Sequence, residues 1–97
     1  SAMYGVIRTK QFERSYRTLK KSGLLKPALA REIERVVDVL AEGKRLPENF
    51  ADHQLKGELQ AYRECHIKGD LLLVYQKREK ELVLVLVELG SHSYLFG

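Results

Sequence analysis

Leu82 to Val87 reads LVLVLV, apolar at every position, and Leu89 carries the run past one interruption at Glu88. Half of its residues are β-branched valines, which favour extended backbone. The run has the length of a strand and falls far short of the roughly 20 apolar residues that cross a bilayer. A strand without polar alternation is expected to be central in its sheet and covered on both faces. The rest of this 97-residue chain has to be arranged around it, as one domain over residues 1–97 with a single modest core.

Two further strands precede it. Ala61 to Ile67 (AYRECHI) alternates, with Tyr62, Glu64 and His66 on one face and Arg63, Cys65 and Ile67 on the other. Lys68-Gly69 is a turn, Asp70 to Gln76 (DLLLVYQ) returns antiparallel, and the charged Lys77 to Glu81 makes a second turn. The segment from Lys44 to Gly57 is irregular, broken by Pro47, Asn49, Asp52 and Gly57.

Upstream the periodicity becomes helical. Tyr4 to Thr9 is a short β-prone opening, and Thr9 can cap a helix in which Phe12, Tyr16 and Leu19 share one stripe before Gly23 ends it. Pro27 starts a second helix at its first turn; Leu29, Ile33, Val36, Val37 and Leu40 are its buried face, and Gly43 stops it. The short link from Gly23 to Lys26 suggests an antiparallel helical hairpin. The fold class is therefore α+β: an N-terminal strand, a helical hairpin, then an antiparallel meander with the helices on one face of the sheet.

Net charge is +4, from 17 basic and 13 acidic residues. Its distribution matters more than its size. Lys10, Arg14, Arg17 and Lys21 recur at helical spacing on the polar side of the first helix, with Glu13 the single acid between Arg8 and Lys26. Like charges at this spacing repel one another, so the stripe points to a polyanionic partner, nucleic acid first. There is no apolar segment for a membrane and no signal peptide; Ser1-Ala2 ahead of Met3 has the look of a cloning remnant. Cys65 is the single cysteine, which precludes an internal disulfide and fits a reducing cytoplasm. It projects with Ile67, as a small buried hydrophobe rather than a nucleophile.

Three histidines, His53, His66 and His92, fall where the backbone changes course, each with polar neighbours. They lack the tight His-x-x-x-His or Cys-x-x-Cys spacing of a metal site, so no metal or other cofactor is expected. Imidazoles titrate near neutrality and can both take and give a proton. RNA cleavage needs both: a base for the 2′-hydroxyl, an acid for the departing 5′-oxygen, and a cation beside the phosphate. Histidines, a carboxylate and Arg63 or Lys56 would supply these parts.

Three blocks in order, Asp52-His53-x-Leu55-x-Gly57, then Tyr62-Arg63-Glu64-x-His66-Ile67-x-x-Asp70 with Val74-Tyr75, then Gly90-Ser91-His92-Ser93-x-Leu95-Phe96-Gly97, resemble the YafQ branch of the RelE/ParE superfamily of bacterial type II toxins. The resemblance implies a RelE-like fold. It also implies a cytoplasmic, ribosome-dependent endoribonuclease that cuts mRNA in the 30S A site and is silenced by a cognate antitoxin. His53, His66, Asp70 and His92 match the catalytic positions, and Phe96 matches a C-terminal aromatic on or near which a base would stack. His92 would be the general acid, and Asp70 or His66 would serve the 2′-hydroxyl. Lys10, Arg14, Arg17 and Lys21 would dock on ribosomal RNA.

One position departs from the family. An arginine is common two residues before the glycine of the last block, and this chain has Glu88 there. An anion beside the scissile phosphate would oppose the developing charge. Glu88 would then have to point away, or Arg63 and Lys56 would carry the phosphate, or activity would be weak. A ParE-like toxin acting on a topoisomerase is the alternative on this fold, but that branch lacks the three histidines. The other is a binding module without catalysis, which Glu88 keeps open.

Overall fold

The structure, a computed structural model, describes residues 3–91, so His92 and Phe96 lie outside the described residues. Strand β1 (Gly5–Arg8) leads into helix α1 (Lys10–Lys21) and helix α2 (Pro27–Ala41). A two-residue strand β2 (His53–Gln54) follows, then β3 (Arg63–Lys68), β4 (Leu71–Arg78) and β5 (Val83–Ser91). The sheet order is β1-β5-β4-β3-β2, with β1 parallel to β5 and every other pair antiparallel. The architecture is α+β, as the periodicities predict.

The helix boundaries follow from local chemistry. The Thr9 hydroxyl accepts from the Phe12 amide at 3.0 Å, an N-cap. Pro27 occupies the first turn of α2, where its missing N–H costs nothing. Gly43, just beyond α2, has φ +76°, and a Cβ there would stand 2.9 Å from the Met3 sulfur. The left-handed backbone favours glycine there, while the exposed, flexible Met3 side chain could shift to admit a Cβ.

Phe12, Ile33, Val36 and Leu40 from the helices meet Cys65, Ile67, Leu73, Tyr75, Leu84, Leu86 and Leu89 from one face of the sheet. The two helices are not in close contact along their length: a cleft of about 560 Å³, lined by Phe12, Tyr16, Ile33 and Val37 among others, runs between them.

β5 is central, but only one of its faces is fully covered. Leu84, Leu86 and Leu89 are buried, whereas Val83, Val85 and Val87 are half-buried. The reason is that the helices pack on the first of these faces only; a β-bulge then breaks the alternation. Val74 pairs with Glu88 and Tyr75 with Leu86, which leaves Val87 without a partner of its own on β4. The extra residue lets Leu86 and Leu89, three apart, both enter the core, and it turns Glu88 to the opposite face. β4 also runs on through Lys77 and Arg78, paired with Leu84 and Val83, so the second turn begins later than the charge pattern suggests.

β1 covers the edge of β5 only as far as Leu86. Beyond it, α1 takes over: the Thr9 amide and hydroxyl donate to the carbonyls of Leu86 (3.1 Å) and Val87 (2.9 Å). The Leu89 amide donates to the Ser15 hydroxyl at 3.0 Å. These bonds satisfy backbone groups that an exposed edge would leave open, and they bring Gln11 to the rim of the helix-free face. Among the described residues no helix is long and apolar enough to cross a membrane.

Candidate active site

Strand pairing sets out the helix-free face as two rows. One runs His53, Glu64, Val74, Glu88 across β2, β3, β4 and β5; the other runs His66, Leu72, Gly90 across β3, β4 and β5. Residues in such a row point the same way and are neighbours. His53, Glu64 and His66 thus share one surface, with Leu72 and Val74 buried beside them.

Glu64 anchors the first row. It is only 5% exposed, and its Oε1 lies 3.0 Å from His53 Nε2. The other ring nitrogen, Nδ1, lies 2.7 Å from the Ala51 carbonyl oxygen. Ala51 itself is left-handed, with φ 47°, at the end of the short 3₁₀ turn Glu48–Phe50, a conformation that favours glycine. Both nitrogens of the ring therefore face acceptors. A neutral imidazole can donate only one of these two hydrogen bonds. His53 is held at both ends, while Glu64 Oε2 is buried with no hydrogen-bond partner among the described residues.

His66 is half-buried, and no hydrogen bond or ion pair ties it to another described residue. Of the two imidazoles among the described residues, it is the one not held by a neighbour. Asp70 is exposed in the turn from β3 to β4 and borders a different cleft, with Ser15, Leu19, Leu71 and Gly90. Lys56 is exposed beside the short turn Gly57–Leu59.

Arg63 does not join this surface. Strand alternation turns it to the helix side with Cys65, where its Nε donates to Asp52 Oδ1 at 3.4 Å and to the Tyr75 hydroxyl at 3.3 Å. Tyr75, fully buried, donates in turn to Asp52 Oδ1 at 2.6 Å. Burial and the hydrogen bond to Asp52 push the Tyr75 phenol up, so it stays a donor. Arg63 thus ties the β2 approach to the sheet from the face opposite His66. Cys65 is buried on the same side; burial, then the charges of Asp52 and Glu64, push its thiol up to about 12.

Glu88 does not point away from the helix-free face. It closes a pocket of about 270 Å³ with Gln11, Leu55, Leu59, Tyr62 and Val74. Gln11 Nε2 donates to its Oε1 at 2.6 Å, and burial pushes its carboxyl up. Lys10, Arg14, Arg17 and Lys21 are all exposed, and none is ion-paired to another described residue. Among the described residues, no group of three or more His, Cys, Asp or Glu side chains is gathered so as to hold a metal ion.

Residues 4–97 match the family model for YafQ, the bacterial toxin of type II toxin–antitoxin systems. The chain belongs to the YafQ toxin family. A YafQ protein of Haemophilus influenzae is 64% identical over 31 residues, 32% of this chain and 30% of that protein. The mRNA interferase toxin YafQ of Escherichia coli K12 is 36% identical over 52 residues, 54% of each chain. The matched stretches thus span about half or less of these relatives. The crystal structure of a metal-bound toxin from Helicobacter pylori superposes with TM-score 0.84 at 44% identity, over 97% of this chain and 100% of that one. The E. coli DinJ–YafQ complex superposes with TM-score 0.82 at 23% identity, over 97% and 99%; at that identity it shows the fold alone. YafQ toxins thus share the layered sheet described above.

The sequence did not single out Glu64 or Gln11. Glu64 had a signal: a carboxylate alternating with His66 on one strand face. Gln11 had none, because its partner is 77 positions away.

Proposed function

We propose that this YafQ-family toxin is a ribosome-dependent endoribonuclease that cuts mRNA in the 30S A site by proton transfer between side chains. In this reading His66 takes the 2′-hydroxyl proton. The 2′-oxygen attacks the adjacent phosphorus as the bond to the 5′-oxygen breaks. The departing oxygen takes a proton from a general acid, the role the family resemblance implies for His92. The products are a 2′,3′-cyclic phosphate and a 5′-hydroxyl end. His53, held by Glu64, sits one strand away from His66, where its ring would steady charge gathering on the phosphate. Phe96 would stack a base and hold it for in-line attack.

The observation that carries this reading is the surface common to His53, Glu64 and His66, with one imidazole clamped at both nitrogens and the other free. It favours His66 over Asp70 for the 2′-hydroxyl, since Asp70 borders a separate cleft. The unpaired stripe of Lys10, Arg14, Arg17 and Lys21 gives ribosomal RNA a docking surface, and Lys56 is free to meet a phosphate. The E. coli relative's name, mRNA interferase toxin, agrees with this activity, and its complex with DinJ with a cognate antitoxin for this chain too. A cytoplasmic site of action follows from the ribosomal target.

The test is to add the purified protein to a translating extract and to naked reporter mRNA, then map the new ends. Codon-phased cuts in the translated message alone, lost in His66→Ala, His92→Ala and Phe96→Ala and surviving a chelator, are the expected result. Cuts that persist in all three variants would refute the mechanism. Growth arrest without cuts would point to a topoisomerase target, and no toxicity to a binding module.

A further inference from the structure

The pocket beside Glu88 has no part in the proton transfers above, and its chemistry is specific. Its walls are apolar, from Leu55, Leu59 and Val74, and Tyr62 lines it with an aromatic ring. At about 270 Å³ it is just below the roughly 300–1,000 Å³ that suits drug-sized ligands, so it fits a single ring system. Its polar side is one unit, the Gln11 amide bound to the Glu88 carboxylate at 2.6 Å. That contact uses one lone pair of Oε1 and one N–H of Gln11. Oε2, the remaining lone pair of Oε1 and the second N–H of Gln11 remain available. The unit thus offers one donor beside two acceptors. The pocket also borders the reactive surface, because Glu88 ends the row that begins with His53 and Glu64.

Single-stranded RNA is read by proteins that stack a base on an aromatic ring and bond its Watson–Crick edge. Among the four bases, guanine alone carries two adjacent donors, N1–H and N2–H, next to an acceptor, O6. Adenine and cytosine would turn ring-nitrogen lone pairs toward the carboxylate, and uracil offers one donor between two acceptors. We propose that the Glu88–Gln11 pair reads a guanine of the RNA substrate, N1–H and N2–H donating to the Glu88 carboxylate and O6 accepting from Gln11. Glu88, where an arginine is common in the family, then selects sequence and does not hold the phosphate. The inference rests on the nuclease reading for its biological setting, and its test separates the two.

The first arm needs no cleavage. The full chain, labelled with 15N, is titrated with GMP, AMP, CMP and UMP, and the amide and side-chain resonances of Gln11, Leu59, Tyr62 and Glu88 are followed. GMP is expected to shift them at concentrations about 10-fold or more below the other three, and Glu88→Gln and Gln11→Ala to remove that preference. Equal responses to all four nucleotides, or a guanine preference that survives both variants, would overturn the proposal. The second arm maps cuts in translated messages. Guanine should be enriched at one fixed position from the cut and lose about 10-fold of that enrichment in Glu88→Gln. Cuts without a fixed guanine overturn this inference and leave the nuclease reading standing. Guanine-selective binding without any cuts does the reverse.

Discussion

If Glu64 holds His53, then His53→Ala must cost stability as well as activity, and the two losses can be told apart. The variant removes the one partner of Glu64 Oε1, while Oε2 is already unpartnered and the side chain is only 6% exposed. Stripping a hydrogen bond from a buried charged acceptor costs about 1–3 kcal/mol, and breaking a fully buried ion pair about 3–5 kcal/mol. The His53 side chain is 50% exposed, so water can reach the vacated space, and the lower part of the first range applies, about 1–2 kcal/mol. For a domain near 100 residues that is a fall in Tm of roughly 4–16 °C. The decisive measurement is a double-mutant cycle by urea unfolding at neutral pH, with His53→Ala, Glu64→Gln and the double variant. With the m-value constant, the coupling between the two sites is expected at about 1 kcal/mol. Additivity within roughly 0.5 kcal/mol would mean the 3.0 Å contact carries no energy, and the clamped-imidazole argument would fall.

Reversing two charges of the basic stripe, Arg14→Glu with Arg17→Glu, should weaken ribosome association strongly at low salt and little at high salt. Its salt dependence should fall by about one unit of slope per lost phosphate contact; binding unchanged at both salts would remove the stripe from the interface. Tyr75→Phe keeps the buried ring but takes the 2.6 Å donor from Asp52. The expected loss, about 1.5–3 kcal/mol for a hydrogen bond to a charged group, is read by thermal unfolding. A loss below about 0.5 kcal/mol would show that water or Arg63 replaces the phenol.

What was legible in the sequence was whatever is written locally. Thr9 before Phe12, Pro27 at a helix start and Gly43 at a helix end act on their nearest neighbours, and each does what its chemistry suggests. The alternation of β3 was legible too, and it already set Arg63 on the face away from His66. The bulge at Val87 was not. It is visible only once β4 is laid beside β5, and it decides both why Leu86 and Leu89 share the core and where Glu88 points. Strand β2 was hidden for the same reason: two residues make a strand only because Glu64 and Arg63 stand opposite them. The site followed this division. His53 and His66 could be nominated from their settings, but the clamp on His53 depends on a cross-strand neighbour 11 positions away.

The two faces of the sheet divide the energetic work. On the helix side Arg63, Tyr75 and Asp52 bond one another at the margin of a closed apolar core, and among the described residues one buried oxygen of α2, Glu32 Oε1, has no hydrogen-bond partner. On the other side local rules are broken. Ala51 is left-handed, Glu64 keeps a buried oxygen without a partner, and Glu88 is held where burial disfavours its charge. Each feature is unfavourable by itself, and a sequence selected for stability alone would have no need to bury the Glu64 carboxylate. Similar costs occur away from this surface, at Leu82 with φ 54° and at Glu32 Oε1, but here three of them adjoin His66, as when stability gained elsewhere sustains a reactive site. Leu72 and Val74, buried beside Glu64 on the same face, are therefore part of the chemistry: they flank the carboxylate that keeps His53 in place.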